Sequence, residues 1–358
     1  MASVHAVVHA KFGKKAAIKI AHRSVIGDHL TADTFLREAR IVHTVDHPAV
    51  IDVFATGSND GRPYLVMERL TGKTLGQRVD QGPLMPRREA ITYLLELCDV
   101  LQAAHDAGIV HRDVKLDNVF VCDAPFADGR RVKLLDWGVA RVDGEDDPFR
   151  GLIAGTLTYV APEQIRGDAL SPAADVYSLA VLAYHLLCRR PPFSAPNDLA
   201  LIHLHLRAEP PRPSIAWPDV PHAIEELLLR MLAKTPDARP SLAEVENVLR
   251  ASLDDVDNTA MRFADGSRAN IPLPALESPW TRWLMTKRVA PATSAWLKGK
   301  GEEVRGSRPG EAGMESLAHG DVHDILGRPV LPAPPFRLGW MAVATVAAGI
   351  VSLLAALP

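Results

Sequence analysis

No excess of one charge sign runs through this chain of 358 residues, where 40 Lys and Arg face 43 Asp and Glu for a formal net charge of −3. With no net positive charge to favour a phosphate backbone, nothing in that balance points to nucleic acid as a partner. Cysteine is scarce too. Cys98, Cys122 and Cys188 stand far apart in apolar or loop contexts, without the paired spacing of a zinc site or a disulfide framework, and a reducing cytoplasm suits them. No cleavable signal peptide is expected at the start, where Met1–Ala10 alternates apolar residues with His and Ser as a strand does. Charge is absent from Leu338–Leu357, a run of twenty residues. At about 1.5 Å per residue it is long enough to cross a hydrocarbon layer of roughly 30 Å.

The length exceeds one ordinary domain, and patterns along it suggest where elements fall. Val4–Ala10 and Ala16–Ile20 read as strands joined by the turn Lys11–Lys15, and two further strands lie between Val50 and Glu68 around Ser58-Asn59-Asp60-Gly61. Thr31–Thr44 has helical periodicity, with Phe35, Leu36, Ala39 and Val42 on one face. A longer helix is expected over Arg87–Ala107, with Ile91, Leu94, Leu95, Cys98, Leu101 and His105 in one stripe and Gly108 placed to end it. In such a stripe the cysteine and histidine read as packing residues rather than ligands. Asp123–Arg131 reads as a surface turn, Val132–Leu135 as a strand, and Ala223–Leu232 and Leu242–Leu249 as helices.

The densest cluster of chemistry is His111–Phe120, reading His-Arg-Asp-Val-Lys-Leu-Asp-Asn-Val-Phe. In His111, Arg112, Asp113, Lys115 and Asn118 it resembles the catalytic loop of a protein kinase, specifically a bacterial eukaryotic-like (Hanks-type) Ser/Thr kinase. The resemblance implies an α+β fold of two lobes, a β-rich N-lobe over 1–68 and a helical C-lobe over 69–253, with ATP and Mg2+ between them. Phosphoryl transfer needs an aligned hydroxyl and fixed positive charge more than covalent help. Asp113 is thereby implied to orient the acceptor hydroxyl and take its proton, and Lys115 to neutralise the moving phosphate. Asn118, with Asp136 of Asp136-Trp137-Gly138, is implied to hold the metal.

Other motifs extend the match. Ala16-Ala17-Ile18-Lys19 is close to the Val-Ala-Ile-Lys strand, which implies that Lys19 grips the α- and β-phosphates. Glu38, nineteen residues on, sits where a helix behind the strand would pair its carboxylate with that ammonium. Val4, Ala17, Met67, Glu68, Leu70 and Phe120 are implied to form the adenine pocket, with Met67 as gatekeeper and Glu68–Leu70 as the hinge. Gly155-Thr156 before Ala161-Pro162-Glu163 implies a protein-substrate platform, with Thr156 approaching Asp113 and Lys115. Asp175 is implied to brace the catalytic loop, and Arg239 to pair with Glu163.

Departures are as informative. Only the tail of the Gly-x-Gly-x-x-Gly-x-Val loop is present, with Ala2 at the third glycine position and Val4 as the valine, so the N-lobe is expected without its first strand. An unprotected sheet edge would result, which leads to the expectation that the natural chain starts further upstream. Trp137 replaces the usual Phe. Arg141–Gly155 contains no Ser, Thr or Tyr to receive a controlling phosphate, but it carries Glu145, Asp146 and Asp147. Those carboxylates either replace a phosphate in part or simply face water as an acidic loop.

Beyond Leu253 the pattern breaks into Pro, Gly and charged residues, and 254–337 is expected as a largely disordered linker. Trp280–Lys300 within it is basic and Trp-containing, which suits an anionic membrane surface or plain linker. Residues 338–357, following Arg337, are expected as a transmembrane helix that anchors a cytoplasmic kinase domain to the cell membrane. Ala344 with Ala348, and Thr345 with Gly349, give small faces for a homodimer. The favoured activity is ATP-dependent phosphorylation of Ser and Thr in protein substrates, itself included. The alternatives are a non-catalytic pseudokinase scaffold and a small-molecule phosphotransferase, the latter disfavoured by Thr156 and Ala161-Pro162-Glu163.

Overall fold

The structure is a computed structural model that describes residues 2–22, 29–145 (29–36 by backbone alone), 147, 156–254 and 256. All of them belong to one compact unit. Of the expected linker 254–337 only 254 and 256 are described; the rest of it, with Trp280–Lys300, and Leu338–Leu357 lie outside the described residues.

The N-lobe is built from β1 (Ala2–Val8), β2 (Lys15–Ala21), α1 (His29–Val45), β3 (Val53–Asn59) and β4 (Arg62–Met67). The strands form one antiparallel sheet in the order β1-β2-β4-β3. β1 starts and ends two residues earlier than its pattern suggests. A shift of two keeps every side chain on its face, and the strand stops because His9 N–H donates to Lys14 C=O at 2.8 Å and turns the chain. Asp60 and Gly61, with φ of 49° and 70°, make the two-residue turn between β3 and β4. Left-handed dihedrals at both positions match the twist of the paired strands. One sheet face carries a small cluster of Val7, Ala16 and Ile18, whereas Ala21, Val53, Leu65 and Met67 join Ile41, Val42 and Val45 of α1 in the main core.

The C-lobe follows with β5 (Gly72–Thr74), α2 (Leu75–Gln81), α3 (Arg87–Asp106), β6 (Ile109–Val110), β7 (Val119–Cys122), β8 (Val132–Leu134), β9 (Arg141–Val142), α4 (Pro162–Arg166), α5 (Ala173–Cys188), α6 (Asp198–Arg207), α7 (His222–Met231) and α8 (Leu242–Ala251). α5 is buried at nearly every position from Ala174 to Cys188. A helix apolar all round can be satisfied only at the centre of a bundle, and α3 and α7 pack on it. Each fully buried Leu in that interior, such as Leu179, Leu182 or Leu187, contributes about 1.5–3 kcal/mol. α3 ends at Gly108, whose φ of 71° lets the chain reverse into β6. Val256 is buried in the same core, so the folded unit continues past the expected end at Leu253.

Two short sheets place the chemistry. β6 pairs with β9, and β5-β7-β8 form an antiparallel sheet. The loop 111–118 therefore leaves β6 and enters β7, while Asp136 follows β8 alongside. Leu134 N–H donates to Ala49 C=O at 2.7 Å, which joins the C-lobe sheet to the chain entering β3. Among the described residues no helix is long and apolar enough to cross a membrane.

Candidate active site

Lys19 stands on the central strand β2, opposite Val4 of β1 and Leu65 of β4. α1 brings Glu38 behind it, and Lys19 Nζ lies 2.8 and 2.9 Å from the two Glu38 oxygens. The same ammonium reaches Asp136 Oδ1 at 2.6 Å, across the cleft between the lobes. Burial works against the Lys19 charge, but the two carboxylates outweigh it and raise the pKa, so the group is a cation throughout the physiological range. Burial raises the Glu38 carboxyl, with Lys19 opposing and Asp136 adding to the rise. Asp136 is also penalised by burial, yet Lys19, then Lys115 and His111, hold its carboxyl below the usual range.

The loop from β6 is held from below. Asp175 at the start of α5 accepts His111 N–H and Arg112 N–H, each at 2.8 Å, and His105 of α3 lies 2.8 Å from its Oδ2. Burial opposes the Asp175 charge, while the His105 hydrogen bond and the backbone donors keep its pKa low. Pinned there, Arg112 adopts a φ of 69° and Asp136 one of 60°. Non-glycine residues rarely adopt such backbone, and its presence at both ends of the cleft marks a site that the fold over-determines.

Within the loop, Lys115 Nζ lies 2.6 Å from Asp113 Oδ2, and Asn118 Nδ2 donates to Asp113 O and Oδ2, both at 2.8 Å. Asn118 thus spends its amide nitrogen on Asp113, which leaves its amide oxygen as the atom able to meet a cation. That oxygen and the half-exposed Asp136 carboxylate are hard donors of the kind that suit a small divalent ion. Trp137 is completely buried, edge-on to His111 with ring centroids 4.5 Å apart, and its indole N–H donates to Leu134 C=O at 3.1 Å. Burial lowers the pKa of His111.

The remaining sequence-predicted residues divide. Ala17 faces Met67 across the β2–β4 pair, Phe120 lies on β7, and Leu70 packs against the main core. Val4 is largely exposed on the sheet edge. The Glu68 side chain turns away to pair with Lys133 of β8 and to accept Asp52 N–H at 2.8 Å, and its own N–H donates to Asp52 C=O at 2.9 Å. Lys133 also donates to Val50 C=O at 2.9 Å, a buried clamp behind the hinge that sequence reasoning missed. Thr156 is exposed at the start of the described stretch that leads into α4. Below the cleft, Arg239 makes a bidentate pair with Glu163 at 2.6 and 2.8 Å.

A small antiparallel sheet over a helical lobe, with a lysine, two acids and an Asp-Lys-Asn loop meeting between them, defines the class of the protein kinases. Residues 1–249 match the family described as Protein kinase domain, and the chain belongs to it. It is 37% identical over 260 residues to serine/threonine-protein kinase Pkn1 of Myxococcus xanthus, covering 71% of this chain and 36% of that one. It is 34% identical over 247 residues to serine/threonine-protein kinase PknB of Mycolicibacterium smegmatis, covering 67% and 39%. Over 304 residues it is 31% identical to serine/threonine-protein kinase pkn3 of Myxococcus xanthus, covering 81% and 54%. The matched region thus spans between about a third and just over half of these relatives' lengths. Family membership brings with it the general use of ATP and a divalent metal ion.

Proposed function

We propose that this chain transfers the terminal phosphate of ATP to Ser and Thr hydroxyls of proteins, its own included. The observation that carries the reading is the single ammonium of Lys19 shared by Glu38 and Asp136 across the cleft. Glu38 keeps Lys19 aimed at the phosphates, which fixes positive charge in advance of the reaction. Asp113 orients the acceptor hydroxyl and takes its proton, while Lys115 offsets charge on the oxygens in transit. Met67 and the backbone of Glu68 and Leu70 bound the adenine, with Val4, Ala17 and Phe120 as its apolar walls. Asn118 and Asp136 would hold Mg2+, which when bound neutralises the β- and γ-phosphates. Thr156 would help seat a protein substrate once one is bound.

The named relatives, all serine/threonine-protein kinases, support Ser and Thr as acceptors. A radiolabelled-ATP autophosphorylation assay tests the reading. Label is expected in the unmutated protein and a loss of about 10²–10⁴-fold in Asp113→Ala. An unlabelled but folded wild-type protein would mean a binding scaffold instead.

Membrane attachment is part of the same proposal, supported by the uncharged run Leu338–Leu357 after Arg337. The kinase region would then face the cytoplasm, with 254–337 as its tether. Removing 338–358 should move the protein from the membrane pellet to the supernatant, and full-length protein already in the supernatant would refute attachment.

A further inference from the structure

Two buried guanidinium groups flank the site. Arg112, beside Asp113, is 5% exposed, and its backbone is fixed on both sides, by Asp175 through its N–H and by Gln164 Nε2 to its carbonyl at 3.1 Å. Arg37, beside Glu38 on α1, is 7% exposed and donates to Ala140 C=O at 2.5 Å. A buried cation held so firmly calls for an anion close by.

Both anions come from the stretch that follows Asp136-Trp137-Gly138. Arg112 Nη1 donates to Asp147 Oδ1 at 2.9 Å and its Nη2 meets Asp147 Oδ2, a fork-on-fork pair with little exposure on either side. Arg37 Nε lies 3.4 Å from Glu145 Oε2, a longer contact to a carboxylate that is nearly half exposed. Asp146 lies outside the described residues. Since Arg141–Gly155 has no Ser, Thr or Tyr, no hydroxyl in it is available to carry a phosphate to either arginine.

We propose that Asp147, assisted by Glu145, is a positioning residue whose encoded carboxylate docks this stretch on Arg112 and Arg37, so that the catalytic arrangement forms with no added phosphate. The inference rests on the phosphotransfer reading above and names how that same site is controlled. Asp147 pins the segment to the residue next to Asp113, and Glu145 ties it to the residue next to Glu38. A fixed charge cannot be removed by a phosphatase, so the enzyme would be active as synthesised.

The test uses the full chain and a generic basic protein substrate. Asp147→Asn is expected to lower kcat about ten- to a hundredfold with the KM for ATP changed less than about threefold, Asp147→Glu to recover most of the loss, and Glu145→Gln to lower kcat less than about threefold. Wild-type protein treated with phosphatase and then freed of it should keep more than half its initial rate. Asp147→Asn with wild-type kcat would overturn the inference. So would a phosphatase-treated wild type that loses most of its initial rate, a result that stands even where Asp147→Asn does not fold. A wild type without activity under any condition would instead overturn the phosphotransfer reading itself.

Discussion

Glu38 and Glu163 are both buried glutamates bonded to a cation through both oxygens, yet their surroundings differ in charge balance. Around Glu163 the ledger is neutral and closed. Arg239 also donates to Ala233 C=O at 2.9 Å and Ala173 C=O at 2.7 Å, and its guanidinium lies 4.9 Å from the Tyr177 ring centre. Around Glu38, Lys19 meets two carboxylates, Glu38 and Asp136, and these three groups by themselves carry one more negative than positive charge, with Lys115 also acting on Asp136. A balanced pair, braced by further backbone bonds, is a rivet. An unbalanced one keeps an open valence, which a metal-bound phosphate chain can satisfy.

The same substitution at both sites should separate these uses. Glu163→Gln leaves a fully buried arginine without its counter-charge, and a loss of about 3–5 kcal/mol is expected, visible as a thermal midpoint lower by roughly 10 °C. A midpoint within about 2 °C of wild type would break the comparison. Glu38→Gln should instead reduce kcat/KM about a hundredfold in steady-state assays while stability changes by less than about 1 kcal/mol. A large loss of stability there would make the cleft pair a rivet too.

A third pair, Lys133 with Glu68, combines both kinds. It is buried on the C-lobe side but braces the hinge. Lys133→Met should cost about 1–3 kcal/mol, by leaving Glu68 and Val50 C=O without their donor, and raise the KM for ATP a few fold. Unchanged ATP affinity would place the clamp outside the nucleotide's reach.

The smallest effect concerns Lys234. Burial, and then Arg239, lower its pKa to about 8, while its ammonium sits 4.4 Å from the Phe193 ring centre. Between that value and the ordinary lysine range the unfolded chain binds a proton that the folded chain does not. The contribution of this group to stability therefore rises with pH over that window. Relative to Lys234→Met, the wild type should gain stability between about pH 8 and 10 in thermal melts; the opposite slope would refute the assignment.

Much of this could be read from residue order where the physics is local or periodic. The α3 stripe, the Asp60-Gly61 turn and the spacing of Lys19 and Glu38 each correspond to an element or contact in the structure. Elements without a periodic apolar face were missed. β5 and α2 depend on a capping box between Thr74 and Gln77 and on Gly76, where a Cβ would come within 2.3 Å of Asp117 Oδ1. α6 buries only Ala200, Ile202 and His205, too sparse a stripe to stand out. The Glu68–Lys133 clamp joins residues 65 positions apart, and no local rule anticipates which way a hinge side chain turns. Arg112 with Asp147 was legible only as a choice between a paired and a solvated loop, which the geometry resolves toward pairing at Asp147.

Trp137 carries a practical consequence. Its indole is sealed from water, touches His111 and immediately follows Asp136 in sequence. Any shift of that aspartate changes what surrounds the ring, and indole emission is sensitive to its surroundings. Trp137 is one of six tryptophans, so the difference in emission between the wild type and Trp137→Phe would isolate a native reporter of events in the cleft.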